Sequence, residues 1–178
     1  MWLSITIPAK IGIPTSAGAC YTYGVDDAFW MRLALEEAAL AILHDDVPVG
    51  AVAVLEGRVI GRGHNRREAD RDPTAHAEII ALREASRAIN HWRLDGLTLY
   101  CTLEPCAMCA GAMILARLPR LVYAASDPKA GAGGSIMDLL SHPRLNHHVT
   151  VEAGVLAEES SALLVGFFGR LRASGQRH

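Results

Sequence analysis

The sequence predicts an α/β domain of three layers, with helices on both faces of a mixed five-stranded sheet. Three observations lead there. Strand-like segments, either alternating or continuously apolar, take turns with segments of helical period along most of the chain. The length of 178 residues suits one domain and is ample for a buried core. No internal repeat or linker breaks the region 25–172, which reads as one domain between residues 1–24 and a short tail at 173–178.

Each element has its own signal. Asp26 or Asp27 caps a helix whose apolar positions Trp30, Leu33, Ala34, Ala38 and Ala41 follow the helical period, and Val47-Pro48 ends it. Val49 to Leu55 is an apolar run, Glu56-Gly57 a turn, and Arg58 to Asn65 the returning strand of a hairpin. Arg66 to Asp72 is polar and reads as a loop. Pro73 suits the first turn of the next helix, where its missing N–H has no partner to lose, and Ile79, Ile80, Leu82, Ala85 and Ile89 form its apolar side. Leu97, Leu99, Cys101 and Leu103 alternate with polar or aromatic residues as a third strand. Pro105 opens a helix through Ala116, and Leu121 to Ala125 is a fourth strand. The glycine-rich segment Ser126 to Ser135 is a loop. His148 to Val151 forms a short fifth strand, and Val155 to Leu171 a last helix with Leu156, Leu163, Leu164 and Phe167 inward. Hairpin strands beside strands joined through helices make the sheet mixed.

Composition excludes several classes. The chain is 51% hydrophobic and 20% charged, so it is neither disordered nor collagen-like. No run of about 18 apolar residues is present, so no membrane-spanning helix is expected. With 17 Lys+Arg against 19 Asp+Glu the net charge is −2, which excludes a highly basic nucleic-acid coat but allows local basic patches. Residues 1–24 carry one charge, Lys10, after the apolar positions, and Pro8 interrupts them. That is the wrong order for a secretory signal and reads as a flexible extension, with an extra edge strand or a mis-assigned start as alternatives. A cytoplasmic location follows. Cys20, Cys101, Cys106 and Cys109 are too few and too unevenly spaced for a disulfide framework, and point to metal or catalysis.

The chemistry is carried by His76-Ala77-Glu78 and Pro105-Cys106-Ala107-Met108-Cys109. Two cysteines three apart share a helix face, and at a helix N-terminus the dipole favours thiolate. With His76 they make three ligands for Zn²⁺. Structural zinc sites are closed by four protein ligands, while catalytic sites keep one position open. Glu78, beside the metal without being a ligand, can move the proton that such chemistry releases. One difficulty stands: residues two apart on a regular helix point ~200° apart. His76 and Glu78 therefore share a site only at an irregular helix start. Each piece alone has an ordinary explanation, since Cys-x-x-Cys can be redox-active or structural and a lone His is commonly core.

Together the pieces match the H-x-E and P-C-x-x-C signature of zinc nucleobase deaminases. The chain resembles the bacterial tRNA-specific adenosine deaminases from about Asp27 to Arg172. The matching segments are Val47 to Ala51, Asp72 to Ile79, Thr102 to Met113, the loop Asp127 to Ser135, and Asn146-His147. The resemblance implies a cytidine deaminase-like fold and a homodimer. It implies one zinc per subunit on His76, Cys106 and Cys109, and proton shuttling by Glu78. It implies hydrolysis of the wobble adenosine of a tRNA anticodon loop to inosine, with release of ammonia. The zinc core is shared with deaminases of free guanine or cytosine, so these are the alternative.

By the same resemblance Asn65 falls where the family bonds the purine, and Asp127 where its loop approaches the ribose. Read from the residues alone, each is equally an ordinary turn residue. The loop departs from the family at Ser126 and Pro128-Lys129, where an arginine and a smaller residue are common. Arg62, Arg66, Arg67 and Arg71, and Arg170, Arg172 and Arg177, form two clusters that either contact phosphates or are solvated surface. Of Phe167 and Phe168, one is expected in the core, and stacking on an RNA base is open to the other. A non-catalytic RNA-binding relative would lack the glutamate that this chain has at position 78.

Overall fold

A computed structural model describes residues 26–175. The N-terminal extension with Cys20, and Arg177 of the second arginine cluster, lie outside the described residues.

Helix α1 (Asp27–Ala41) starts at Asp26, whose carboxylate accepts the Phe29 N–H at 2.9 Å. A 3-10 turn (Ile42–His44) follows and ends at Asp45 in the left-handed region. Strands β1 (Gly50–Leu55) and β2 (Arg58–His64) form the expected hairpin. Then come α2 (Arg67–Asp70), α3 (Ala77–Ala88), β3 (Thr98–Leu103), α4 (Ala107–Leu115), β4 (Arg120–Ala125), β5 (Thr150–Ala153) and α5 (Ala157–Ser174).

The sheet order is β2-β1-β3-β4-β5, with β1 antiparallel to both β2 and β3, and β3, β4 and β5 parallel. The three-layer mixed sheet is as expected. Alternation along the strands divides the core in two. Ala51, Ala53, Leu99, Cys101, Leu121 and Tyr123 join Leu82 and Ala85 of α3 and Met113 of α4 on one face. Val52, Val54, Tyr100, Val122 and Ala124 join Trp30, Met31 and Ala34 of α1 on the other, where Val155 and Leu156 ahead of α5 also pack. Burying one such Leu, Val or Met fully contributes roughly 1.5–3 kcal/mol.

The structure corrects several local readings. Pro73 does not open a helix: it lies in a turn, and α3 begins four residues later at Ala77. The reason is Asp72, whose Oδ1 accepts the Thr74 N–H and hydroxyl, each at 2.7 Å, and folds this segment back on itself. The polar stretch read as a loop holds α2, because Asp46 accepts the Glu68 and Ala69 N–H groups at 3.0 and 3.2 Å and caps that short helix from 22 residues away. The last strand runs two residues later than expected. In α5, Phe167, Leu171 and Ser160 are the buried positions, while Leu163 and Leu164 are half-buried; the helix continues through Ser174.

One end of the sheet, across its strand termini, collects the residues of interest. The start of β1, the ends of β2, β3 and β4, and the N-termini of α3 and α4 all meet there. Gly63 lets α3 come this close to β2, since a Cβ on it would stand 2.4 Å from the Ala77 carbonyl oxygen.

Candidate active site and metal centre

His76 is the N-cap of α3, with extended backbone (φ −81°, ψ 150°). It stands outside the helix while Glu78 is the second residue within it, so the angular conflict of a regular helix does not arise. Cys106 is likewise the extended N-cap of α4 and Cys109 lies in its first turn. Among the described residues His76, Cys106 and Cys109 are the group able to hold a metal.

The three ligand atoms form a nearly equilateral triangle. Cys106 Sγ is 3.7 Å from Cys109 Sγ and 3.7 Å from His76 Nδ1, and Cys109 Sγ is 3.6 Å from that nitrogen. A tetrahedral zinc with sulfurs at about 2.3 Å and nitrogen at about 2.0 Å puts the sulfurs about 3.8 Å apart and each about 3.5 Å from nitrogen. The residues fit the ion. The same distance is far beyond a disulfide, and both cysteines are free. Cys106 is held down to about 3 by its hydrogen bond with Cys109 and by His76, while Cys109 is pushed up by that bond and by burial. The Cys106 sulfur beside its ring raises His76. A dication held by the three side chains would displace the proton that the two sulfurs share.

Glu78 is 3% exposed and lines the same cavity as His76 and Cys106. Burial pushes its carboxyl up, toward the protonated form that a proton carrier must be able to hold. The cavity, of about 210 Å³, is also lined by Val47, Val49, Asn65, Arg67 and Asp127. It is small for a drug-sized ligand and suits a single base.

Asn65 follows β2 and is buried. Its Oδ1 accepts the Ala77 N–H at 3.0 Å, which leaves the amide nitrogen as the donor free to serve a cavity ligand. Asp127, after β4, lines the same cavity. So both residues that could have been ordinary turn residues line the cavity that His76, Glu78 and Cys106 also line. Of the first arginine cluster, Arg62 pairs with Glu37 and Arg66 with Asp70, while Arg67 reaches the cavity wall. A second cavity of about 310 Å³ shares Val47, Asn65 and Arg67 with the first and is bordered by Phe168, which is 38% exposed, whereas Phe167 is core. Arg170 and Arg172 are exposed on α5.

Sequence reasoning gave no role to Glu104. It is 2% exposed at the cavity wall and accepts N–H groups of Asp127 at 2.9 Å, Gly133 at 3.0 Å and Ser135 at 3.0 Å, besides the Ser135 hydroxyl. Burial opposes its ionisation, but these donors prevail and hold the carboxyl below its ordinary value. An acid directly before Pro105-Cys106 was the available signal; its burial depends on a loop 23 residues away.

A three-layer fold that brings a His/Cys/Cys triangle and a buried carboxylate to the N-termini of two helices defines a deaminase. The chain belongs to the MafB19-like deaminase family, whose profile matches residues 25–172, and within it to the tRNA-specific adenosine deaminases. It is 47% identical over 146 residues to a tRNA-specific adenosine deaminase of Bacillus subtilis (strain 168), covering 82% of this chain and 91% of the relative. A structure from work on A-to-I editing by tRNA:A34 deaminases at the wobble position of transfer RNA superposes with a TM-score of 0.73 at 49% identity, covering 76% of this chain and 98% of that one. The guanine deaminase from Nitrosomonas europaea matches at a TM-score of 0.70 and 27% identity, over 81% and 85% of the two chains. Among the described residues no helix is long and apolar enough to cross a membrane.

Proposed function

We propose that the chain hydrolyses adenosine to inosine at the wobble position of a tRNA anticodon loop, releasing ammonia. The observation that carries this reading is the ligand triangle with Glu78 and Asn65 on one small cavity, in a chain close to half identical to a deaminase of tRNA. His76, Cys106 and Cys109 hold one zinc, which when bound supplies the Lewis acid that makes water nucleophilic at neutral pH. Glu78 takes a proton from the attacking water and delivers it to adenine N1. It then takes the remaining proton from the oxygen newly bound to C6 and gives it to the amino nitrogen as the C6–N bond breaks and ammonia leaves, acting as base and then as acid in each transfer. The Asn65 amide N–H donates to a ring acceptor of the purine and orients it, and Asp127 receives a sugar hydroxyl.

Single-stranded loop bases are readily splayed out, so the target needs no duplex opening. Arg67 at the junction of the two cavities suits a backbone phosphate, and the exposed Phe168 ring suits stacking of a neighbouring base. The reading carries with it a cytoplasmic location, where tRNA is found, and a homodimer. For the latter, α4 presents Leu115, 75% exposed, beside the small residues Ala112 and Ala116, which border an open cavity of about 460 Å³ against α3. A monomeric mass by light scattering at micromolar concentration refutes the dimer.

The deciding experiment sequences the anticodon of tRNA incubated with the protein, beside assays of ammonia release from free adenosine, guanine and cytosine. Inosine at the wobble position alone is the expected result. Turnover of a free base without inosine in tRNA refutes the reading.

A further inference from the structure

The segment after β4 has no regular structure of its own, yet it borders the cavity at Asp127 and Ala130. A single side chain organises it. The Glu104 Oε2 accepts the Asp127 N–H and the Ser135 hydroxyl, and Oε1 accepts the Gly133 and Ser135 N–H groups. An ionised carboxylate is an acceptor only, with about four lone-pair sites, and four donors meet it here. The loop is wrapped tightly around it: a Cβ on Gly131 would stand 2.3 Å from Glu104 Cδ. Two further bonds close the wrap, Ala132 N–H to the Pro105 carbonyl at 2.8 Å and Gly131 N–H to the Asp127 carbonyl at 2.9 Å. Asp127 in turn commits Oδ1 to the Lys129 and Ala130 N–H groups at 2.9 and 3.2 Å, which fixes its rotamer and leaves Oδ2 for a ligand.

A buried carboxylate is a costly way to end a strand, and an apolar residue would pack the site with less desolvation. What an apolar residue could not do is gather backbone N–H groups at both ends of a nine-residue loop. We infer that Glu104 is a positioning residue for substrate: it holds the Asp127 carboxylate at the cavity so that the sugar of the target nucleotide is bound there. The sugar-binding part rests on the tRNA reading above; the loop-holding part does not.

The informative variant is Glu104→Gln. Its single carbonyl oxygen can keep the Gly133 and Ser135 N–H groups, and the Ser135 hydroxyl can turn to accept from the new NH₂. The Asp127 N–H then faces a donor. The variant is expected to keep its zinc, and amide exchange at Asp127 should speed up about tenfold, as loss of a hydrogen bond to a charged group implies. KM for tRNA should rise about tenfold with kcat little changed, the mark of lost uniform binding. In an Asp127→Ala background the same change should add less than about twofold, because the two residues act as one unit. Should Glu104→Gln fail to fold, Ser135→Ala, which removes the hydroxyl donor alone, must show a smaller KM-selective change.

Unchanged exchange at Asp127 overturns the loop-holding role. A fall in kcat at constant KM, or effects of the two variants that multiply, overturns the route through Asp127. Exchange is read without substrate, so if the unaltered chain makes no inosine the tRNA reading and the sugar-binding part fall together, and exchange still judges the loop.

Discussion

The side-chain carbonyl of Asn65 accepts the N–H of Ala77 at 3.0 Å. This one bond links the end of β2 to the first residue of α3, next to His76. It satisfies an N–H that the helix cannot satisfy itself, and it decides which way the amide faces. The carbonyl is used by the fold, so the NH₂ is what remains for a ligand of the cavity.

The two roles separate by substitution. Asn65→Asp keeps the acceptor and loses the donor, so denaturant stability should stay near that of the unaltered protein while KM for tRNA rises. Asn65→Ala loses both and should also cost about 1 kcal/mol of stability, as removal of a helix cap does. An Asp variant with unaltered KM would remove Asn65 from the substrate site.

Metal analysis of the purified protein should give about one zinc per chain, as a single three-ligand site implies. Cys109→Ala should lose the metal and lower the unfolding temperature, since the ligands tie the starts of α3 and α4 together. Full zinc occupancy in that variant would take Cys109 out of the ligand set.

What was legible in the sequence and what was not divides along the range of the interactions. His76, Glu78, Cys106 and Cys109 announce themselves by local spacing, and the alternation of β1 and β3 by period. The start of α3 was misplaced at Pro73 because local preference competes there with the Asp72 turn. The real start is set by Asn65, 12 residues earlier. The helix α2 depends on Asp46 and the loop after β4 on Glu104, partners 22 to 31 residues distant. Local patterns carry no trace of such bonds.

At the opposite end of the sheet, Arg120 donates to both Asp27 oxygens at 2.9 and 2.7 Å, and the Tyr100 hydroxyl donates to Oδ1 at 2.6 Å. The Arg120 guanidinium first of all holds Asp27 down to about 2 from its ordinary 3.8. Because the folded pKa lies below the unfolded one, the stabilisation is complete above the unfolded value and disappears as pH falls toward 2. Asp27→Asn should therefore be less stable than the unaltered chain at pH 7, by roughly 1 kcal/mol or less for a partly exposed pair, and the gap should close in acid. Urea midpoints across pH 2–7 read this directly; a gap that stays constant would mean the ion pair contributes nothing.

Glu78→Gln isolates proton transfer from the scaffold. The amide has nearly the shape of the carboxylate, so the buried position is filled and no cavity opens. Glu78 is assigned as a proton carrier and not a ligand, so zinc content and the thermal transition should be nearly unchanged. A positioned acid or base typically contributes ~10²–10⁴-fold, and this residue acts at two points of each turnover. The single-turnover rate on tRNA should fall by at least the upper part of that range. Affinity should change little, with any difference a gain, because a negative charge has been removed from a site that approaches phosphates. Binding should still weaken with added salt, as phosphate contacts require. Loss of zinc from Glu78→Gln would make the glutamate a ligand and void the assigned role. Zinc retained together with near-normal turnover would mean that another group moves the proton.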